Sequence, residues 1–281
     1  MSDQLHVSLL QTAPRLADVE GNAARILEAT PRLGRQAALC VAPELALSGY
    51  DLRDAAPDVA LTSPQLAARL APGGAVVAGF PERAADGAVY NSVGHVESGR
   101  VVFVHRKVHL PTYGMFDEAR VFAAGADIGA YEWNGWRLGL LVCEDFWHPG
   151  LLYALCAQRV ELIIAVAAAP GRGVFEAEGA ARFASWETWR RMASVYARVF
   201  GIWIALANRA GVEEGVTFAG GSLIAAPDGS LIASAPEGEV AVVGTTLDRG
   251  ELARLRTPAW HGRDDRPLVV ARALLRAEGI E

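Results

Sequence analysis

Cys143, Glu44 and Lys107 are the residues of this sequence whose side chains could together attack a carbonyl carbon. Cys143 follows the apolar run 139–142 and precedes an acidic pair, so its thiol ends a predicted buried strand, as a nucleophile would. Glu44 and Lys107 also stand just beyond short apolar runs. If the three strand ends converge, a carboxylate and an ammonium meet the thiol.

The chemistry open to this trio is acyl transfer through the thiol. An ordinary thiol has a pKa of about 8.5 and is mostly protonated at neutral pH, so it needs a base or a neighbouring cation. Glu44 can take the proton, and Lys107 can favour the thiolate. Attack on an amide develops an oxyanion, which Lys107 and a backbone N–H after Cys143 can stabilise. Loss of the amine leaves a thioester, and water activated by Glu44 releases the acid.

Taken singly, such residues have ordinary structural interpretations. An isolated cysteine is most often a packed core thiol, which is how we interpret Cys40 and Cys156. His105 and His109 have the spacing of a helical metal pair, but the predicted strand before them and Pro111 after them argue against a helix. We therefore predict no metal site and no cofactor.

The motifs around the trio, in their order along the chain, resemble the nitrilase superfamily, the carbon-nitrogen hydrolases with a Glu-Lys-Cys triad. The matching segments are 43–45, 48–50, 105–111, 116–118, 143–145, 208–211 and 218–222, with Phe122 and Gly125. Segments 113–120 and 143–147 look most like the glutaminase domain of glutamine-dependent NAD synthetases. In those proteins a synthetase domain follows, whereas this sequence stops at Glu281.

The resemblance implies a role for each candidate catalytic residue. Glu44 is the expected base, Lys107 the ammonium and Cys143 the nucleophile. Glu118 matches a second glutamate of the superfamily, which would orient Lys107 and the substrate amide. The resemblance also implies an α/β fold built as a four-layer α-β-β-α sandwich, and pairing of sandwiches into a homodimer or larger homo-oligomer.

The resemblance also indicates where a substrate would bind. Tyr113 matches a tyrosine that binds glutamine in the glutaminase domains. We expect Glu144 beside it, with Phe146 and Trp147 as a pocket wall and Arg172 as a basic group for the substrate.

Two departures from those glutaminase domains argue against glutamine as the substrate. Ala169 stands near the position of a usual serine, and Glu176 near that of a usual basic residue. Losing a hydroxyl and reversing a charge should each weaken binding of an amino-acid carboxylate. A neutral or amine-bearing amide is therefore the expected substrate.

Composition limits the function classes. The 281-residue chain has a formal net charge of −6 and no basic stripe, which argues against nucleic acid as a partner. Three cysteines fit no even disulfide framework, which favours a reducing, cytoplasmic setting. The longest apolar run, 162–169, is far shorter than the roughly 20 residues of a membrane span, so no membrane association is expected. We predict one domain over 1–281, with the tail 257–281 packed on it or on a neighbouring subunit.

Short β-like runs alternate with longer helical ones, which predicts sheets covered by helices. The predicted strands are 5–10, 37–42, 75–80, 90–96, 101–105, 137–142, 162–167, 203–207, 218–225 and 239–246. The predicted helices are 18–36, interrupted near Pro31, and 64–70, 150–159, 179–200 and 268–277. Segment 90–105 is expected to be a hairpin turned at 97–99. A helical stripe predicted to be core or subunit interface comprises Trp186, Trp189, Met192, Tyr196 and Val199.

We therefore expect a stand-alone amidase that hydrolyses a small linear amide or carbamoyl compound. Two alternatives remain open: a glutaminase subunit that passes ammonia to a separate synthetase, and a thiol-dependent N-acyltransferase that delivers the thioester to an amine. Ammonia release from L-glutamine distinguishes the first, and capture by hydroxylamine with poor hydrolysis distinguishes the second. Nitrile hydrolysis is disfavoured, because Glu144 stands where true nitrilases usually carry tryptophan.

Overall fold

The computed structural model describes residues 3–30, 38–177, 180–259 and 261–280. Its strands are β1 Gln4–Gln11, β2 Ala38–Val41, β3 Ala75–Arg83, β4 Val89–Glu97, β5 Arg100–Arg106, β6 Ala130–Trp133, β7 Trp136–Val142, β8 Leu162–Ala167, β9 Val174–Ala177, β10 Ala180–Phe183, β11 Trp203–Asn208, β12 Ala210–Glu213, β13 Val216–Ala219, β14 Leu223–Ala225, β15 Leu231–Ser234 and β16 Ala241–Asp248. Its α-helices are α1 Val19–Ala29, α2 Ala56–Val59, α3 Ser63–Leu70, α4 Pro149–Ala157, α5 Ala184–Phe200, α6 Arg249–Ala259 and α7 Pro267–Ala277.

Two six-stranded sheets form the centre of the fold. The first has the strand order β16-β1-β2-β3-β4-β5 and the second β15-β14-β11-β8-β7-β6. Three strands at the centre of each sheet run parallel, β1, β2 and β3 in the first and β7, β8 and β11 in the second. The outer strands pair antiparallel. Parallel strands bring their carboxyl ends to one edge, where the candidate catalytic residues follow.

Alternation along the strands separates two apolar layers. In β2, Leu39 and Val41 pack into a core shared with the second sheet, whereas Cys40 packs among residues of α1 and α3. The second sheet is covered on its other face by α4 and α5, for example by Leu155 against Gly139. The layers are thus helix, sheet, sheet and helix, and the predicted α-β-β-α sandwich is confirmed.

Most predicted elements agree with the structure, including the hairpin of β4 and β5. The predicted strand 218–225 is wrong as one element, because Gly220 and Gly221, at φ of 64° and 73°, separate β13 from β14. The predicted helix 179–200 begins only at Ala184, after the strand β10, and Gly179 lies outside the described residues. The predicted helix 18–36 is helical only to Ala29, and residues 31–36 lie outside the described part.

The carboxyl-terminal tail differs from the rest of the chain in its exposure. Arg256 of α6, which immediately precedes it, donates to the carbonyls of Val160 and Gly201 at 2.9 and 2.8 Å. In contrast, α7 has no buried residue. None of the helices in the described residues combines the length and apolar character needed to cross a membrane.

Candidate active site

The three candidate catalytic residues lie at strand ends of both sheets. Lys107 follows β5 and Glu44 lies three residues beyond β2, both in the first sheet, whereas Cys143 directly follows β7 in the second. Lys107 Nζ donates to Glu44 Oε1 at 2.8 Å and to Glu118 Oε1 at 2.7 Å. Lys107 and Glu44 are fully buried, and Glu118 and Cys143 are nearly so. The structure therefore brings the four predicted catalytic residues into one desolvated cluster at the junction of the sheets.

The residue type of Lys107 is itself informative, independently of any motif. It is the only lysine in a chain whose other 25 strongly basic residues are arginines. An ammonium is a compact charge with three donors, whereas a guanidinium is a planar fork. The single lysine stands where one cation meets two carboxylates, a geometry that suits an ammonium.

Two groups besides Lys107 hold Glu44. Asn91 Nδ2 donates to Oε1 at 2.8 Å, and the backbone N–H of Ala168 donates to Oε2 at 2.8 Å. Gly79 allows this arrangement, since a Cβ there would lie 2.6 Å from the Cα of Glu44. Neither contact was predicted from the sequence, because Asn91 and Ala168 are both far from Glu44 along the chain.

Cys143 occupies a turn of strained backbone. Its φ is 46°, in the left-handed region that non-glycine residues rarely adopt, and it begins a short 3-10 turn to Trp147. Burial raises the pKa of the Cys143 thiol, the charge of Glu44 adds to the increase, and Lys107 only partly opposes it. The resting thiol is therefore protonated, and a base is needed to remove its proton. Stabilisation of a resting thiolate by Lys107, one of the two routes considered from sequence, is outweighed.

Burial acts in opposite directions on Glu118 and Lys107, although the pKa of both groups is raised. Burial raises the pKa of Glu118, and the charge of Lys107 opposes that rise. Burial would lower the pKa of Lys107, but the charges of Glu44 and Glu118 outweigh it and the pKa rises. Lys107 is therefore a permanent cation. Tyr50 also donates its hydroxyl to Glu118 Oε1, a contact within the resemblance motif 48–50 to which no role was given.

Asp145 ties the lysine segment to the nucleophile turn. Its carboxylate accepts the backbone N–H groups of Val108 at 3.1 Å, His109 at 2.9 Å and Val142 at 3.3 Å, and it lies 2.9 Å from His105 Nε2. Burial would raise the pKa of Asp145, but hydrogen bonds from His105 and His109 outweigh it and the pKa lies well below the usual range. The sequence motif included Asp145 but gave it no role.

We expect Asp145→Asn to lower kcat by about 10- to 100-fold, because the amide cannot accept every bond and the Lys107 segment shifts. One unpaired buried donor should also lower the free energy of unfolding by about 1–3 kcal/mol. Folding lowers the pKa of Asp145, so the ionised carboxylate stabilises the fold at pH values above its unfolded-state pKa, near 3.9. This contribution to the free energy of unfolding is lost as the pH falls below that value. Denaturant unfolding at pH 7 and pH 3, with steady-state kinetics, measures both effects.

Asp127→Asn, at an exposed aspartate that caps its own loop, is the matched control and should change neither quantity. Unchanged kcat in Asp145→Asn would contradict a positioning role.

The predicted substrate-binding residues fall into two groups. Tyr113 is 58% exposed and donates to Glu144 Oε2 at 2.8 Å, and burial together with this bond raises the pKa of Tyr113 to about 12. Arg172 is exposed and its guanidinium lies against Gly114. Trp147 is 40% exposed. Contacts thus join Tyr113 to Glu144 and Arg172 to Gly114, and Glu144 and Trp147 belong to the Cys143 turn itself.

Phe146 does not belong to that group. It is fully buried, and its ring stacks on Trp189 with centroids 5.7 Å apart. The prediction that it forms a pocket wall is therefore wrong, because in the 3-10 turn consecutive side chains point in different directions and Phe146 points into the core. Ala169 is buried and Glu176 is exposed. Neither position offers the hydroxyl or the basic group that the glutaminase domains usually carry there.

The two histidines with helical spacing do not lie on a helix. His105 lies in β5, and both His105 and His109 contact Asp145. The ring of His109 stacks on that of His148 with centroids 3.5 Å apart. Over the described ranges, no group of three or more histidine, cysteine or acidic residues is arranged to hold a metal ion.

Comparison with known proteins agrees with this geometry. The sequence profile described as carbon-nitrogen hydrolase matches residues 6–257. A Pseudomonas protegens protein described as "Hydrolase in pqqF 5'region" is 34% identical over 276 residues, covering 94% of this chain and 90% of that protein. The glutamine-dependent NAD(+) synthetase of Aquifex aeolicus is 29% identical over 265 residues, covering 90% of this chain but 44% of the synthetase. The chain thus spans less than half of the synthetases it matches.

Solved structures match the fold over nearly the whole chain. An amidase from Nesterenkonia sp. superimposes with a TM-score of 0.77 at 24% identity, covering 95% of each chain. At that identity the likeness concerns the fold alone. The two-sheet arrangement and the positions of its helical layers are shared.

Proposed function

The chain belongs to the carbon-nitrogen hydrolase family, and on that premise we propose that it is an amidase acting through a thioester on Cys143. The substrate class we propose is a small linear amide or carbamoyl compound. The observation that carries the proposal is the buried contact of one ammonium, Lys107, with two carboxylates, Glu44 and Glu118, at 2.8 and 2.7 Å beside a buried cysteine. Such a cluster is expensive to bury, so a catalytic role accounts for it better than stability does.

The proposed acylation begins with proton transfer from Cys143 Sγ to Glu44 as Sγ bonds to the amide carbon. The electron pair of the C=O bond moves to oxygen, and the third hydrogen of the Lys107 ammonium faces that oxyanion. Collapse re-forms the C=O bond and breaks the C–N bond. Glu44 returns its proton to the nitrogen, and ammonia or an amine leaves.

In the proposed deacylation, water is the nucleophile and the sulfur of Cys143 is the leaving group. Water attacks the thioester carbon and gives a proton to Glu44, the C–S bond breaks, and Cys143 recovers the proton as the acid departs. Glu118 touches Lys107 throughout and fixes the direction of its remaining hydrogen. Tyr113 and Glu144, joined at 2.8 Å on the open side, are the proposed contacts for the polar end of the substrate.

A glutaminase subunit serving a separate synthetase is the second candidate. The Tyr113 contact with Glu144 and the NAD(+) synthetase relatives favour it. The buried Ala169 and the exposed Glu176 oppose it, since neither offers a hydroxyl or a positive charge to an amino-acid carboxylate.

Ammonia release separates these two candidates. The purified chain should release ammonia or amine from small amides or carbamoyl amines at least about tenfold faster, by kcat/KM, than from L-glutamine. Cys143→Ala serves as the blank. Rapid Cys143-dependent release from L-glutamine would overturn the proposed preference for small amides and favour the glutaminase.

We further propose that two copies of the chain associate through α5 and α7. Val195 and Val199 of α5 are 55% and 48% exposed, and α7 exposes Leu268, Val270 and Leu274 among others. A helix whose apolar residues are all solvent-exposed is stable when a partner covers them. The free cysteines of the structure agree with a proposed cytoplasmic location.

Replacing Val270 and Leu274 by glutamate should convert the proposed dimer to monomer, because both lie on the apolar side of α7 and would bring charges into the interface. Sedimentation velocity measures the change in mass. Arg276→Glu alters the net charge equally but lies on the polar side of the helix, and it should leave the dimer intact. Equal masses for wild type and both variants would count against this interface.

A further inference from the structure

A cavity of about 410 Å³ is lined by Tyr50 and Glu118, and none of the four residues of the substrate group lines it. This volume is within the range of small-molecule sites. Its apolar wall consists of Leu52, Met115, Val121, Phe122, Val216 and Phe218. None of the catalytic steps derived above uses this space, although Glu118 forms part of its surface.

The charged residues around the cavity are mainly acidic. Five carboxylates and two guanidinium groups line it. Asp51 pairs with Arg53 at 2.7 Å, and Glu213 pairs with Arg209 at 3.0 Å and accepts two backbone N–H groups. These carboxylates are already neutralised.

Two further carboxylates give the cavity an excess of negative charge. Within the described part of the chain, neither Asp117 nor Glu214 forms an ion pair, and both are exposed at the rim. Arg120 contacts Asp54, which lies outside the cavity lining. A positive group entering the cavity would therefore meet two carboxylates that form no ion pair in the described residues, although Glu214 also feels the charge of Arg53.

Glu118 is the most buried charged residue of the cavity lining. Glu118 is 4% exposed, and its Oε2 atom has no hydrogen-bond partner in the described residues. Its Oε1 atom accepts from both Lys107 and Tyr50. Since Lys107 is one cation shared by Glu44 and Glu118, the cluster holds two buried carboxylates and one buried ammonium. A second cation beside Glu118 would balance that charge.

We propose that this cavity binds a small organic cation, a primary ammonium on a short apolar chain. The apolar wall contacts the chain, while the rim carboxylates Asp117 and Glu214 receive the ammonium and the nearby charge of buried Glu118 favours it. Neutral molecules lack the charge that the site requires, and anions are repelled. The ammonium can be the far end of a substrate or a free amine. Binding itself does not depend on the proposed amide cleavage.

Calorimetric titration of the wild-type chain with three pentyl compounds tests the charge requirement. Pentylammonium, 1-pentanol and pentanoate share a chain and differ in charge. We expect pentylammonium to bind at least about tenfold more tightly than 1-pentanol, and pentanoate not to bind. Equal affinity for the ammonium and the alcohol, or no binding of the ammonium, would overturn the proposal.

A pair of double variants tests the location. Asp117→Asn with Glu214→Gln should weaken pentylammonium binding by about five- to tenfold, because each rim charge is partly screened by solvent. Asp58→Asn with Asp264→Asn removes two exposed charges outside the cavity and should leave the affinity unchanged. An equal loss in both double variants would assign the effect to net charge and contradict the site.

Alkylation of Cys143 by acrylamide distinguishes the sources of the ammonium. If pentylammonium slows labelling of the Cys143 peptide, the cavity and nucleophile share one ligand and the cation belongs to the substrate. If binding leaves the labelling rate unchanged, the cavity holds a free amine. Both results support a cation site, and neither requires turnover, so failure of the proposed amidase activity would be seen separately.

Discussion

Replacing Cys143 by alanine is expected to reduce amide cleavage by a factor on the order of 10⁴ to 10⁶, because no thioester can form. The fold should persist, since the substitution removes one buried sulfur and introduces no charge. Ammonia release and thermal unfolding measure the two effects. Substrate binding should remain, because Glu44, Lys107 and Tyr113 are unchanged.

Cys156 provides a matched control for this result. It is a free, half-buried cysteine on α4 and belongs to no part of the catalytic cluster. Cys156→Ala should keep wild-type kcat. If Cys143→Ala retained most of its activity, or if Cys156→Ala lost as much, the thiol of Cys143 would not be the nucleophile.

Lys107→Met should have the second largest effect, on both activity and stability. Methionine fills similar space, but Glu44 and Glu118 then face each other in the core without a cation. Breaking a buried ion pair by removing one partner costs about 3–5 kcal/mol of unfolding free energy. Loss of the oxyanion donor should lower kcat by about 10²- to 10³-fold, measured under conditions where the variant is folded.

The stability loss in Lys107→Met should depend on pH in a defined direction. Burial already raises the pKa of Glu118, and removal of Lys107 raises it further. A carboxyl group with a raised folded-state pKa stabilises the fold below its unfolded pKa, near 4.3, and that contribution is lost as pH rises through the folded value. The difference in unfolding free energy between wild type and variant should therefore be larger at pH 8 than at pH 5.

Denaturant unfolding at those two pH values measures the gap. Arg159→Met, at an arginine on the surface after α4, is a control that removes a cation outside the cluster. A Lys107→Met gap that is small, or that narrows with rising pH, would contradict an ammonium compensating two buried carboxylates.

The sequence predicted the parts of the site that depend on local order along the chain. Glu44, Lys107 and Cys143 each follow an apolar strand, and strand ends are readable from short runs of residues. The sandwich came from the family resemblance, because the alternation of strands and helices alone also fits a doubly wound sheet.

The parts that were missed depend on contacts between distant segments. The bond from Asn91 to Glu44 joins residues 47 positions apart, and the bond from Ala168 joins residues 124 positions apart. Phe146 was misplaced because the direction of a side chain in a tight turn is set by backbone geometry, which residue type does not reveal. In the part of the chain that the structure describes, the short strands β9 and β10 pair with each other and with no other strand, and their sequences show little of the apolar alternation of a buried sheet.

The most direct test of the amidase account is peptide mass spectrometry of the chain quenched in acid during turnover of a small amide. We predict an acyl group on the peptide that contains Cys143, attached through a thioester that hydroxylamine removes. The Cys40 and Cys156 peptides should carry none. Turnover without an acyl group on Cys143, in a quench fast enough to trap the steady state, would contradict covalent catalysis by this residue.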